Sequence, residues 1–370
     1  MAPRRPRGAG AFPKTVEQPV PTLPDPGALY AALDLGTNCC RMLIAQPKGN
    51  GFKVVDSFSK TVQLGSGLER TGRLSRASMA RTVHAMHICQ QKLRRNNVKR
   101  MRLVATEACR RAGNSRELLQ QVRRETGLRL DIIQPEEEAR LAVISCASLV
   151  SPQTEQLLVV DIGGGSTELV WIDISAVPAA ERPRAIMRLE QGFLTGCTGV
   201  SAARVVDWIS VPLGVATLRD QFVDVEDDSA RYALMSWFFE ENLASFAPYR
   251  DGTLRNGFQI VGTSGTVTTV AASHLGLRRY DRTKVDGLRM TSKEIDLVIR
   301  RYLELGPAGR RRDPRIGADR HALIMSGAAI LQALLRCWPT DRVSVADRGL
   351  REGLLYTQMS ADGVLLDAPC

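Results

Sequence analysis

Asp34 and Asp161 each stand at the head of a glycine-rich turn. The first turn reads Asp34-Leu35-Gly36-Thr37-Asn38 and the second Asp161-Ile162-Gly163-Gly164-Gly165-Ser166. Aspartate is a hard oxygen donor that suits Mg2+, or Mn2+ in its place, bound directly or through water. Glycines let a backbone approach a ligand closely and point N–H groups at phosphate oxygens. Gly36, Asn38, Gly163, Gly164, Gly165 and Ser166 are therefore candidates for a phosphate cradle. Glu168 follows at the start of the next apolar run, where core packing does not explain a charge. It joins Asp34 and Asp161 as a candidate around the metal. Arg41 is a candidate cation, since a guanidinium fork matches phosphate oxygens. An ion pair with a neighbouring acid is the alternative for Arg41, and an ordinary turn aspartate is the alternative for Asp161.

A further acidic run lies at Pro135-Glu136-Glu137-Glu138-Ala139-Arg140. Proline is tolerated at the first helical position, and acids in a first turn offset the helix dipole. Successive helix residues point about 100° apart, so the three glutamates cannot share one role. Hydrolysis of a terminal phosphoanhydride needs an in-line water, neutralisation of charge on the transferred group, and a base or water-orienting side chain. The chain offers residues for each task.

Both aspartate turns sit between two apolar runs, Tyr30 to Leu33 and Met42 to Ala45 for the first, Leu157 to Val160 and Leu169 to Ile172 for the second. The pattern is strand, Asp-x-Gly turn, strand, used twice. Such repetition implies two related halves facing one cleft. Beyond the turns, strands alternate with crossover helices, which reads as α/β. Helices are expected over Ser75 to Asn96 and Asn114 to Thr126, from Pro135, and near 197–207, 228–246, 266–275, 292–304 and 319–336. Strands are expected at Met101 to Ala105, at Leu128 to Ile133, and near 185–189 and 257–261. Thr106 is expected to cap a short helical segment, and Gly49-Asn50-Gly51 signals a hairpin.

The paired turns resemble the phosphate loops of the actin, sugar-kinase and Hsp70 superfamily, and Ile260-Val261-Gly262-Thr263-Ser264-Gly265-Thr266 is similar to its third, nucleoside-side loop. The segments ALDLGTNCCRMLIA, VATEACRRAGN, PEEEARLA, VVDIGGGSTELV, VPLGVATL, IVGTSGTVTTVAA and ADRGLREGLLY occur in one order. That series resembles the exopolyphosphatase and guanosine pentaphosphate phosphohydrolase (Ppx/GppA) family, from about Ala28 to Tyr356. The resemblance implies an α/β fold of two actin-like, ribonuclease H-like ATPase-superfamily domains facing an interdomain cleft. The expected boundaries are a flexible basic tail at 1–27, a first domain at 28–147 and a second at 148–370, with the last helix packing back on the first domain. It implies that the catalytic glutamate is the one directly before Ala-Arg, here Glu138, and that Arg110, at the end of VATEACR, binds phosphate. Relatives commonly carry Ser where this chain has Cys39, which puts a side-chain contact from that position in doubt. The chain resembles the short form that lacks further helical domains.

The implied activity is processive release of terminal orthophosphate from inorganic polyphosphate with Mg2+. Removal of the 5′-phosphate of guanosine pentaphosphate shares the same chemistry. A non-catalytic polyphosphate or alarmone sensor, and a phosphotransferase, are rival readings.

With 370 residues, 44% of them hydrophobic, the chain can build two ordinary cores. No apolar run is long enough to cross a bilayer. Arg4-Arg5 lack the apolar stretch of an export signal. The eight cysteines form no CxxC pair and show no metal spacing, and free thiols fit a reducing cytoplasm. Cys89, Cys146 and Cys337 are expected in the core. The net charge of +11 favours polyanionic partners. Nucleic acid is not expected, because aromatic interleaving is sparse. A homodimer is compatible with the sequence. Among the basic clusters, Arg310-Arg311-Arg312 is one candidate track for a long polyanion.

Overall fold

In the computed structural model, residues 27–189, 203–251, 254, 256–317 and 320–365 are described. Almost all of the tail expected at 1–27, together with Cys197 and Cys370, lies outside them. Among the described residues, eleven strands form two sheets. In the first, β1 (Tyr30–Leu35) is flanked by β2 (Cys39–Lys48) and β4 (Arg100–Ala105), with β3 (Gly51–Thr61) and β5 (Asp131–Ile132) at the edges. In the second, β6 (Gln156–Ile162) is flanked by β7 (Thr167–Asp173) and β9 (Phe258–Thr263). Beyond these lie β8 (Arg204–Val211) on one side, and β11 (Val343–Ala346) and β10 (Arg289–Met290) on the other.

The two sheets repeat one plan. Three antiparallel strands run in meander order, then two parallel strands follow across the first one. The repetition suspected from the two aspartate turns is thus a repetition of whole sheets, and the fold is the expected pair of actin-like α/β units.

Period-two alternation decides which way each aspartate faces. Ala31, Leu33 and Leu35 pack under the helices Arg76–Arg95 and Ser115–Thr126, whereas Tyr30 and Ala32 pack against the last helix, Leu350–Ala361. Asp34 shares the face of Tyr30 and Ala32. In the second sheet Leu157 and Val159 pack against the helix Pro135–Cys146, and Asp161 shares their face. The helices Pro135–Cys146 and Leu350–Ala361 touch: a Cβ on Gly353 would overlap the Leu141 backbone. Both aspartates therefore face the space between the sheets. Tyr30 Oη donates to Asp362 Oδ2 at 2.7 Å and ties the end of the last helix to the first sheet.

Several expectations are corrected. Residues 182–188 form a helix rather than a strand near 185–189; Pro183 suits a helix start, and Ile186 and Leu189 share its buried side. Residues 204–211 form strand β8 rather than the end of a helix, consistent with Val205, Val206, Trp208, Ile209 and Val211, and 197–202 lie outside the described residues. Of 128–133 only Asp131–Ile132 pairs as strand. The helix begun at Ser292 runs on to Arg312 through a kink at Gly306, followed by Pro307. Within it Arg310 is 4% exposed, donates to the Tyr302 carbonyl at 2.7 Å and pairs with Asp228 at 2.7 Å. It belongs to the core and not to a surface track.

Candidate functional site

The two turns close in the same way. Gly36 N–H donates to the Cys39 carbonyl, and Gly163 N–H donates to the Ser166 carbonyl, both at 3.0 Å. Asp34 pairs across its hairpin with Arg41, and Asp161 with Glu168. Asp34, Cys39 and Arg41 are therefore the counterparts of Asp161, Ser166 and Glu168. The turns also meet. A Cβ on Gly165 would overlap Thr37 Oγ1 and lie 2.9 Å from Glu107 Cγ, so this contact admits only glycine. Val215 and Ala216 donate backbone N–H groups to the Gly163 and Gly164 carbonyls at 3.0 and 2.8 Å, which fixes the second turn from behind.

Between the turns lies a cavity of about 370 Å³. Asp34, Gly36, Asn38, Arg41, Glu138, Asp161, Gly163, Gly164, Gly165 and Ser166 all line it. Two residues singled out in the sequence stand behind its wall. Glu168 is 1% exposed, and its Oε1 accepts from Ser166 Oγ at 2.7 Å and Ser210 Oγ at 2.8 Å. Arg110 turns its guanidinium to acids instead of the cavity: Nη1 donates to Glu138 Oε2 at 2.7 Å and to the Ile133 carbonyl at 3.0 Å, and Nε to Glu107 Oε2 at 3.0 Å. In this arrangement it holds the Glu138 side chain. Glu137 pairs with Arg102 at 2.5 Å, which sets it apart from Glu138 in role.

Buried acids crowd this wall. Burial, with Asp34 nearby, pushes Asp161 up to about 6. Burial and the Asp161 charge push Glu168 up to about 7. Burial and the Glu168 charge push Glu138 well above the usual carboxylate range, against the pull of Arg110. Burial raises Asp34 as well, against Arg41. Asp34 Oδ1, Thr37 Oγ1 and Glu168 Oε2 are buried with no hydrogen-bond partner, which in a well-packed interior marks a place for something else.

These features fit a hydrated divalent cation. Among the described residues no three Asp, Glu, His or Cys side chains enclose an ion by themselves. Mg2+ does not require that, since it keeps several waters and uses one or two carboxylates together with substrate phosphates. Asp34, with an orphaned oxygen, and Asp161 line the cavity and would be its carboxylate donors, and the orphaned Glu168 Oε2 lies behind them.

Cations share the cavity with these acids. Arg320, Arg348 and Arg351 line the cavity with Arg41. A Cβ on Gly265 would lie 3.9 Å from both Arg41 Nη2 and Arg320 Nε, so two guanidinium groups flank the N-terminus of the helix Ser264–His274. Burial and the neighbouring Arg41 push the Arg320 pKa down. Ser264 has φ +81, a costly conformation for a serine; its hydroxyl hydrogen-bonds Asp161 and holds that pKa down somewhat. Cys39 Sγ lies 3.6 Å from Asn38 Nδ2 and 3.9 Å from Thr61 Oγ1 and also interacts with the Arg41 side chain. The backbone bond of its turn is intact, so the cradle does not depend on the thiol.

Sequence reading did not single out Thr37, Glu107, Arg320, Arg348 or Arg351. Arg348 and Arg351 fall in ADRGLREGLLY, and their place in the cleft follows from the last helix docking between the sheets. Arg320 has no local signal.

A family model described as the Ppx/GppA phosphatase family matches residues 43–362. A curated relative from Aeromonas salmonicida, named guanosine-5′-triphosphate,3′-diphosphate pyrophosphatase, is 29% identical over 328 residues, 89% of this chain and 59% of that protein. This chain thus spans less than two thirds of that relative's length. The crystal structure of a Ppx/GppA family member from Aquifex aeolicus matches with a TM-score of 0.70 and 28% identity, covering 90% of this chain and 98% of that one. An exopolyphosphatase from Cytophaga hutchinsonii matches with a TM-score of 0.75 at 19% identity, covering 91% and 99%, which shows the shared fold.

Proposed function

The chain belongs to the Ppx/GppA phosphatase family, and we propose that it hydrolyses the terminal phosphoanhydride of inorganic polyphosphate, releasing orthophosphate one unit at a time. The observation that carries this reading is the lining of the cleft. Carboxylates, glycine turns and four arginines together line about 370 Å³, and among the described lining residues no aromatic side chain offers a surface for a base. A chain of phosphates needs cations and N–H donors along its length, and a nucleobase is usually held by stacking or an apolar slot.

Glu138 is the base or water-orienting group. Arg110 fixes its carboxylate and favours the ionised form, so it can accept the proton of the attacking water. The water oxygen bonds to the terminal phosphorus, the bond to the bridging oxygen breaks, and the shortened chain leaves. The turn N–H groups not used to close the turns cradle the phosphate oxygens, since those of Gly36 and Gly163 bond the Cys39 and Ser166 carbonyls. Arg41 and Arg320 bind the units behind the scissile bond and orient them in line. Asp34, Asp161 and Glu168 would hold Mg2+, which supplies charge neutralisation on the phosphate oxygens. Thr37 Oγ1, at the contact between the turns, is a further hydroxyl available to the terminal phosphate.

A second reading rests on the name of the curated relative. Guanosine pentaphosphate presents the same terminal anhydride, and the same residues would act on it. Phosphate release with Mg2+ from long polyphosphate, tripolyphosphate, guanosine pentaphosphate and ATP, measured side by side, tests the assignment. The first reading requires the highest kcat/KM for long polyphosphate. A higher value for guanosine pentaphosphate overturns it.

A further inference from the structure

At the far end of the second sheet from the cleft, Ser151, Gln153, Gln259, Arg289, Arg342 and Ser344 enclose a second cavity of about 100 Å³. It lies at the first residues of β9 and β11, and Gln259 and Thr263 mark the two ends of one strand, about 13 Å apart at ~3.3 Å per residue. Arg289 and Ser344 are direct cross-strand partners, which aims both side chains to the same face.

The wall of this cavity is built and one-sided. Gln259, 1% exposed, spends its amide on the frame: Oε1 accepts from Ser151 N–H at 2.9 Å and from the Thr154 hydroxyl, and Nε2 donates to the Leu149 carbonyl and to Ser344 Oγ, both at 2.9 Å. Ser344, 3% exposed, uses its oxygen as acceptor there, and its own proton remains for another acceptor. Arg342 Nη1 is buried with no hydrogen-bond partner, and only its outer Nε lies near an acid, 3.9 Å from exposed Asp341. Among the described residues no ion pair holds Arg289, and no carboxylate lines the cavity.

We propose that this cavity is a binding site for a small tetrahedral oxyanion of the size of orthophosphate. Two guanidinium groups and a serine hydroxyl converge as donors, and no acid opposes them. A buried guanidinium N–H left without an acceptor is costly, and an oxyanion supplies the acceptor. The volume exceeds the ~30 Å³ share of one water several-fold and admits one such ion without room for a chain. The site does not depend on the reading of the cleft.

Calorimetric titration of the full chain with inorganic phosphate tests this. Wild type is expected to bind two phosphates, one in each cavity. Arg289→Ala, a change at an exposed side chain that spares the fold, and Arg289→Ala/Arg342→Ala should weaken one of them by about tenfold or more, with phosphate release from tripolyphosphate unchanged. Arg41→Ala should remove the other and spare this one. Tripolyphosphate should not compete for the site lost with Arg289. Titrations of Arg289→Ala indistinguishable from wild type, or loss of all phosphate binding in Arg41→Ala, would overturn the proposal.

Discussion

The Arg110 guanidinium sits 2.7 Å from the Glu138 carboxylate and behind the wall of the cleft. An arginine expected to bind phosphate thus holds the residue expected to activate water. Burial and Glu168 raise the Glu138 pKa, and Arg110 opposes both. A base must be ionised, so activity should fall on the acid side as Glu138 takes up a proton. Arg110→Ala removes the lowering charge, and the acid limb of the kcat/KM profile should move to higher pH by about one unit or more. Arg110→Lys should restore part of the shift. An unchanged acid limb in Arg110→Ala would separate the arginine from Glu138.

Glu138→Gln should lower turnover by ~10²–10⁴-fold, the usual contribution of a general base. The change is nearly isosteric, so the thermal transition should stay close to wild type. Glu136→Gln, in the same first turn but without the Arg110 contact, should change turnover little. Turnover and melting measured on both variants check the pair.

The buried acids give the metal-free protein a pH-dependent stability. Asp161 near 6 and Glu168 near 7 lie above their ordinary values of 3.8 and 4.5, so the folded chain holds protons that the unfolded chain has released. Their stabilising contribution is full below the ordinary values and is lost as pH rises through 6 to 7. The melting temperature of metal-free protein should therefore fall between pH 5 and pH 8, and fall less in Glu168→Gln. Mg2+ at pH 8 should raise it in wild type and much less in Asp161→Asn. Chelation should abolish phosphate release, and Mg2+ or Mn2+ should restore it. A wild-type melting curve indifferent to Mg2+ at pH 8 would contradict this placement of the ion.

Preference for long polyphosphate should shrink as salt rises, since contacts with remote arginines are screened over about 8–10 Å at moderate ionic strength. Arg320→Ala should raise KM for long chains more than kcat falls. Arg310→Ala should act otherwise. Breaking its buried pair with Asp228 should cost about 3–5 kcal/mol of stability, seen as a lower melting temperature.

What could be read from the sequence was local. Asp34 and Asp161 announce themselves because a turn that closes on its own backbone, between two apolar strands, needs its glycines in fixed places. Glu138 is legible only through the resemblance of PEEEARLA to a family segment, because Pro135 and the helix dipole by themselves do not separate it from Glu136 and Glu137. Arg320 and Arg348 are not legible, because they reach the cleft only when distant segments pack together. The orientation of Arg110 likewise depends on Glu107, Ile133 and Glu138, which meet in the folded state. The exchanged helix and strand at 182–188 and 204–211 show a different limit. Short apolar runs fit both periods, and for 204–211 the pairing of β8 with β7 decided the matter.

Hydrolysis in ¹⁸O-labelled water tests the central claim most directly. Water directed by Glu138 onto the terminal phosphorus places one ¹⁸O in each orthophosphate released and none in the shortened chain, and Glu138→Gln slows that incorporation by the same factor as turnover. Orthophosphate without label, label at the new chain end, or incorporation unaffected by Glu138→Gln would contradict the account.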